Sequence, residues 1–446
     1  MKKIALLIFF ALLMQEGKTQ VAWDSIGAGL PSPNGTWRTW NINGRLYSST
    51  SNLNANLFEF TQGGWSQVFS SSINGQILDM EFDSINNQVF ILGKFGDLTG
   101  PVNSGTFNGM AVWDLSTEMI YPVGGGVNFP AEYTYEGLIC DSKLFVIGRF
   151  EIVSNNDTIA NIMSVDLQTG TYSKVCSGNV NNLIRDIVVF SGDTIVAGSF
   201  VWNGYQYPLA KVTASGFDFS VSGPCRGFAL SITKWNDEIV FAGDVTDTLG
   251  SGHFVGAYNG NSSRTLAETN ESVRTVEVFN NDLYVGGKFS SITDSFGVTT
   301  PVNNLARLRN TWDDVLGGCV GGGFLGVMHL FPAHDTLYVS GEFSQSGQIP
   351  TLNVSRLIAP LPNSLFENIE ASQGLSVYPN PNNGQFTASF WNINEEGSVL
   401  VEIFDVAGRK IEEFNSSLPV SADIELPNGL YVLKVREQVV RFVIRK

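Results

Sequence analysis

Two groups of side chains in this chain have the types and spacing for recognition or chemistry. Trp202, Tyr205 and Tyr207 fall within six residues of one another. Rings gathered on one connection suit stacking against sugars or docking a protein, and they also suit packing against a neighbouring loop. Asp244, Asp247 and His253 follow on the next connection of the same kind. Two carboxylates and an imidazole could ligate a cation or divide acid and base work, and they are also the composition of a solvated acidic loop.

Other routes to chemistry are closed at the level of motifs. The chain contains no GxSxG elbow, HExxH, P-loop, dinucleotide fingerprint or SxDxGxxW box. Of the three histidines, His329 sits in the strand-like segment GVMHLF and His334 in a turn, where structural roles are expected. Neither Cys nor Cys/His spacing forms a metal motif, and no cofactor is expected.

The elements that must position these residues repeat. NQVFILGKF, SKLFVIGRF, GDTIVAGSF, NDEIVFAGDV, NDLYVGGKF and HDTLYVSGEF each end a β-rich run on one glycine: Gly93, Gly148, Gly198, Gly243, Gly287 and Gly341. Their separations of 55, 50, 45, 44 and 54 residues mark a repeat architecture. With no helical period between signatures, the repeats predict propeller blades. The fourth strands, such as WSQVFSS and YSKVCSG, complete four strands per unit. A divergent seventh unit spans Thr36 to Ser70, with Thr50 in the glycine's place, and the fifth unit departs at Asp244-Val245. The last unit has only three strands of its own, and the fragment AWDSIG, Trp23 to Gly27, is predicted to supply the fourth beside Val354 to Ile358, removing an open edge.

The strand order resembles that of WD-type propellers, and LYVGGxF followed by a WxxLG strand is similar to repeats of bacterial surface proteins and fungal cell-cortex proteins. The signature glycine is expected to let neighbouring backbones approach and its phenylalanine to fill space between blades. One face should carry the longer, more varied connections, among them GDLTGPVNSGTFNG, VWNGYQYP, TDTLGSGHF and SSITDSFGVTTPVNN, and binding is expected there.

After Ala359 the repeat stops. A proline-bearing connector, residues 361–374, leads to a β-rich unit at 375–446 with turns at Asn383-Gly384, Ala407-Gly408 and Asn428-Gly429, which predict a small Ig-like β-sandwich. VYPNPNNGQF, VEIFDVAGRK, LPNGLYVLKV and the basic end RFVIRK strongly resemble the type A sorting domain of type IX secretion in the Bacteroidetes group. The landmarks are Tyr378, Pro379, Asn380, Pro381, Gly384, Asp405, Gly408, Arg409, Pro427, Gly429 and Tyr431. The resemblance implies passage through a type IX translocon and removal of the unit by a sortase-like peptidase.

Composition agrees with export. Lys2 and Lys3, eleven apolar residues and the polar QEGKTQ form a signal peptide over residues 1–19, too short to span a bilayer. The propeller is placed at 20–360, and no later apolar run approaches transmembrane length. A formal charge of −16 argues against nucleic acid as a partner. Among Cys140, Cys176, Cys225 and Cys319, only Cys176 with Cys225 is considered as a disulfide, with four free thiols as the other reading.

The sequence therefore predicts an all-β protein, a seven-bladed propeller followed by a sandwich, secreted or held at the cell surface. The expected role is to bind an extracellular glycan or protein. The alternative is an enzyme acting on extracellular carbohydrate with carboxylates at the channel mouth, which two carboxyls about 5 to 10 Å apart across a cleft would favour.

Overall fold

In the computed structural model, the described residues are 21–32, 35–50, 57–62, 64–68, 75–99, 104–127, 132–140, 142–154, 157–177, 183–247, 252–333, 335–359, 375–378, 380, 382–390, 398–405, 410–417, 419–427, 429–436 and 438–444. The signal peptide, the connector and His334 lie outside them. Two compact units result, Val21–Ala359 and one that contains Pro360–Lys446.

In the first unit, seven antiparallel four-stranded arrangements follow one another in sequence, one of them extended to six strands. Their innermost strands are Thr36–Ile42, Gly75–Asp83, Tyr133–Cys140, Ile184–Phe190, Arg226–Trp235, Val273–Phe279 and Gly326–Ala333. Each innermost strand adjoins the next, and the seventh adjoins the first, so the blades close into a ring of propeller form. Closure is completed by the strand Ala22–Ser25, which pairs antiparallel with Val354–Ile358 in the register Ala22 to Ile358 through Ser25 to Ser355. The leftover fourth strand thus covers the edge of the last blade. Trp23 Nε1 donates to the Val315 carbonyl at 2.9 Å, and Arg356 Nε donates to Asp24 at 2.8 Å.

The signature glycines have a single steric cause. In every blade the innermost strand carries a one-residue bulge, at Trp37, Leu78, Tyr135, Arg185, Leu230, Arg274 and Met328. The second strand's signature glycine pairs with the residue just before that bulge. A Cβ on any of the six would stand 2.1 to 2.4 Å from an inner-strand carbonyl oxygen. Bulge and glycine are therefore one device, which bends the inner strand at a fixed register. The two departures keep it: Thr50 pairs with Thr36 before the bulge at Trp37, and Val245 is fully buried where other blades place phenylalanine. Phe95, Phe150, Phe200, Phe289 and Phe343 are all at most 3% exposed.

Several connections expected as long loops are short hairpins instead. Asn203-Gly204 makes a tight turn with Trp202 paired to Tyr205, because Asn and Gly both accept the positive φ it needs. Ser291–Asp294 and Thr299–Pro301 form a hairpin that joins the outer strand Ser263–Thr269 of the fifth blade, which accounts for its six strands. None of the four cysteines is in a disulfide, so the Cys176–Cys225 bridge considered from the sequence is not formed. Burial raises the Cys225 thiol to about 11, and it raises Cys319 further.

The second unit consists of two antiparallel sheets, of three and four strands. Both contribute to one core that includes Ala388, Val401, Ile403, Leu433 and Phe442. Among the landmark residues, Asn380 Oδ1 accepts from Val443 N at 2.7 Å, and Tyr431 Oη donates to the Pro427 carbonyl at 3.0 Å. Gly384, at φ +111°, lies where a Cβ would meet the Ile424 carbonyl oxygen at 2.2 Å. Tyr378 and Asp405 are in strands, and Gly429 starts one. Pro379, Pro381, Gly408 and Arg409 are outside the described residues.

Candidate functional site at the channel mouth

The residue after each bulge is polar in all seven blades: Arg38, Asp79, Glu136, Asp186, Ser231, Thr275 and His329. An innermost strand pairs on one edge only, so its other edge leaves backbone N–H groups in need of acceptors. The preceding blade supplies them. Asp79 accepts from Gly137 N at 2.8 Å, Asp186 from Ile232 N at 2.8 Å, Ser231 from Val276 N at 3.2 Å, and His329 Nδ1 from Thr39 N at 3.4 Å. In each case the donor follows the next blade's post-bulge residue by one position. The repeat thus builds a ring of polar latches around the channel.

Arg38 organises the acidic part of the ring. Its two terminal nitrogens bind Asp79 at 3.0 Å and Glu136 at 2.8 Å, with Arg38 only 13% exposed. Burial alone would lower its pKa, but the charges of Glu136 and Asp79 outweigh that and raise it. Glu136 is held well above the usual carboxylate range, first by burial and then by the charge of Asp186. Asp186, which accepts from Ile232 N, is pushed up to about 6 by burial. Glu81 is raised by burial and by Asp79 and Glu136. Burial brings Glu277 to about 7, although it accepts from Val278 N at 2.8 Å and from Thr233 Oγ1 at 3.2 Å. His329 is lowered well below the ordinary histidine value, by burial and then by Arg38.

A cavity of about 320 Å³ lies where the innermost strands begin. Six of the seven blades line it. Its rings are Trp37, Tyr135 and Phe228, and its unpaired cations are Arg185 and Arg274. Arg185 stacks on Tyr135, 4.1 Å from the ring centre, and on Phe228 at 5.3 Å. Among the described residues neither guanidinium has a hydrogen-bond acceptor or an acidic partner, and the Nε of each is enclosed by protein. Glu136, Asp186 and Glu277 are thus engaged as acceptors, whereas the donors of two arginines are left over.

Of the residues singled out from sequence, Asp244 alone lines this cavity. It stands 3.9 Å from His253 Nδ1, a distance for a weak ion pair if the imidazole is protonated. Asp247 follows the strand Glu238–Thr246. No three His, Cys, Asp or Glu side chains among the described residues are placed to hold a metal ion. The aromatic trio lies elsewhere, at the outer hairpin of the fourth blade. Tyr207 stacks on Phe219 at 5.5 Å, Trp202 approaches the same ring at 5.9 Å, and Arg226 of the fifth blade sits over Tyr207 at 4.6 Å and Tyr205 at 5.5 Å. Trp202 and Tyr205 nonetheless remain 55% and 57% exposed. Sequence reasoning missed Arg38, Arg185, Arg274, Asp186 and Glu277. For Arg38 and Asp186 the signal was present as a polar residue at one register of every first strand, whereas Arg185 and Arg274 occupy the bulge itself and Glu277 lies two residues past Thr275.

Comparison with known proteins bears on the second unit. The family described as the secretion system C-terminal sorting domain matches residues 376–446. Those residues match a type IX sorting domain. The sorting domain directs export to the cell surface or the extracellular space and implies interaction with the type IX machinery. No helix among the described residues is long and apolar enough to cross a membrane. No curated protein matches the chain. Among solved structures, the WD40 β-propeller domain of Doa1 matches at 10% identity and TM-score 0.42, covering 75% of this chain and 96% of that one. The β-propeller domain of Myceliophteria thermophila Cps50 (Swd1) matches at 8% identity and TM-score 0.41, covering 77% and 99%. The propeller assignment rests on the ring of sheets itself.

Proposed function

We propose that this chain is a non-enzymatic binding protein exported through type IX secretion, whose propeller takes an extracellular glycan or protein at the face where the innermost strands begin. The observation that supports this most is the cavity walled by six blades, with spare guanidinium donors beside aromatic rings. Asp186 and Glu136 beside it are committed to contacts with other blades, which supports recognition rather than bond cleavage. A sortase-like peptidase would remove the sorting domain, with Asp405, Gly408 and Arg409 among its landmarks. Glycan-array and pull-down assays with residues 20–360 test the reading. Reproducible, selective capture is expected, and turnover of a polysaccharide by that fragment would overturn it.

The enzymatic alternative is favoured by one observation, that Glu277 near 7 and Asp186 near 6 share the cavity as poised proton donors. Against it, carboxyl groups of the cavity are already engaged, Asp186 with Ile232 N and Glu136 with Arg38. Release of reducing ends from acidic or neutral polysaccharides, abolished by Glu277→Gln, is the outcome that would establish the alternative.

A further inference from the structure

We propose that the cavity at the start of the channel binds a uronic acid residue, whose carboxylate is taken by the guanidinium groups of Arg185 and Arg274. This deepens the binding role proposed above and rests on it. The argument begins from what the cavity lacks. Three of the four carboxyl groups there are already used: Asp186 accepts from Ile232 N, Glu277 from Val278 N, and Glu136 from Arg38, while the fourth, Asp244, lies 3.9 Å from His253 Nδ1. Donors are not. Arg185 touches only ring faces, and Arg274 has no acceptor among the described residues. A ligand that completes this site must bring acceptors, and a carboxylate meets guanidinium donors in the bidentate geometry that planar fork favours.

The rest of the wall selects among carboxylates. Trp37 and Phe228 present ring surface, and Thr275 lies beside the carboxyl groups, while the Ser231 hydroxyl is taken by Val276. A sugar ring uses both ring surface and polar side chains, through its C–H face and its hydroxyls. The carboxyl terminus of a peptide would instead need an apolar slot for its last side chain, and polar side chains dominate this wall. A volume of about 320 Å³ is at the small end of the range for ligand pockets and suits one sugar unit.

Calorimetric titration of the full secreted chain with glucuronate and galacturonate, against glucose and N-acetylphenylalanine, tests this. Binding of a uronate without binding of glucose is expected, weakened at least tenfold by Arg274→Gln and by Arg185→Gln. Arg274 has no hydrogen-bond acceptor or ion-pair partner among the described residues, so its variant carries the test if the Arg185 variant melts early. No uronate binding, equal binding by wild type and Arg274→Gln, or preference for the peptide-like carboxylate would overturn the inference. Failure of this inference and failure of the broader reading are separable. Array or pull-down capture of neutral ligands with no uronate binding sinks the carboxylate assignment alone, whereas uronate binding with no macromolecular capture sinks surface recognition alone.

Discussion

At the scale of single residues, six of the seven blades place a glycine opposite the residue before the bulge that orients the channel side chains. Because a Cβ on Gly148 would lie 2.3 Å from the Tyr133 carbonyl oxygen, Gly148→Ala must shift a backbone or flatten the bulge at Tyr135. We expect a loss of roughly 1–3 kcal/mol, as for other overpacked sites. Gly125, with open space around its Cβ position, serves as the control, and Gly125→Ala should leave the propeller's melting temperature nearly unchanged. Glu277 makes a second prediction at this scale. Its folded pKa of about 7 exceeds the unfolded value of about 4.3, so the folded state binds the proton more tightly between them. The propeller should therefore be most stable with respect to this group below the unfolded pKa and lose stability as pH rises through about 7. Melting curves from pH 4.5 to 8 should fall less steeply in Glu277→Gln than in wild type, and an unchanged slope would refute the assignment. The signature glycine was legible in the sequence, but its geometric cause was not, since a bulge on the partner strand leaves no residue type of its own.

At the scale of elements, four strands per unit and the phase of the repeat could be read because short alternating runs end in turn residues. The polar post-bulge position was equally visible, yet its meaning depends on the closed ring, which places Asp79 of one blade beside Gly137 of the next. Length misled in the connections: a segment such as SSITDSFGVTTPVNN reads as loop, but Thr293 and Thr299 face each other across a hairpin that extends the fifth blade. The strand Ala22–Ser25 provides the prediction for this scale. Removing residues 21–30 exposes the edge Val354–Ile358, breaks the ion pair between Asp24 and Arg356, and unpacks Ile26 and Leu30, both buried. A lower melting temperature and concentration-dependent association in size-exclusion chromatography are expected, because an open strand edge pairs with other chains. A monomer with unaltered stability would show that ring closure does not depend on this strand.

For the whole molecule, the second unit matches an export address, and the recognition proposed above belongs to the first. The sorting domain was the most legible part of the chain because its landmarks recur as motifs, and several have structural causes: Asn380 holds the last strand, Gly384 passes close to Ile424, and Tyr431 ties back to Pro427. The propeller's ligand was far less legible, since the residues that line the cavity come from six blades spread over nearly 300 positions. If the second unit carries the address alone, deleting residues 375–446 should leave a folded propeller that accumulates in the periplasm of a host with type IX machinery. The same residues fused to an unrelated cargo with a signal peptide should carry it to the surface or the medium. Each unit has its own core, so the deletion removes no buried residue of the propeller core. Fractionation with a protease-accessibility assay measures the location, and the melting profile of the retained protein checks its fold. Surface delivery of the truncated chain at wild-type levels would mean that the propeller also carries export information.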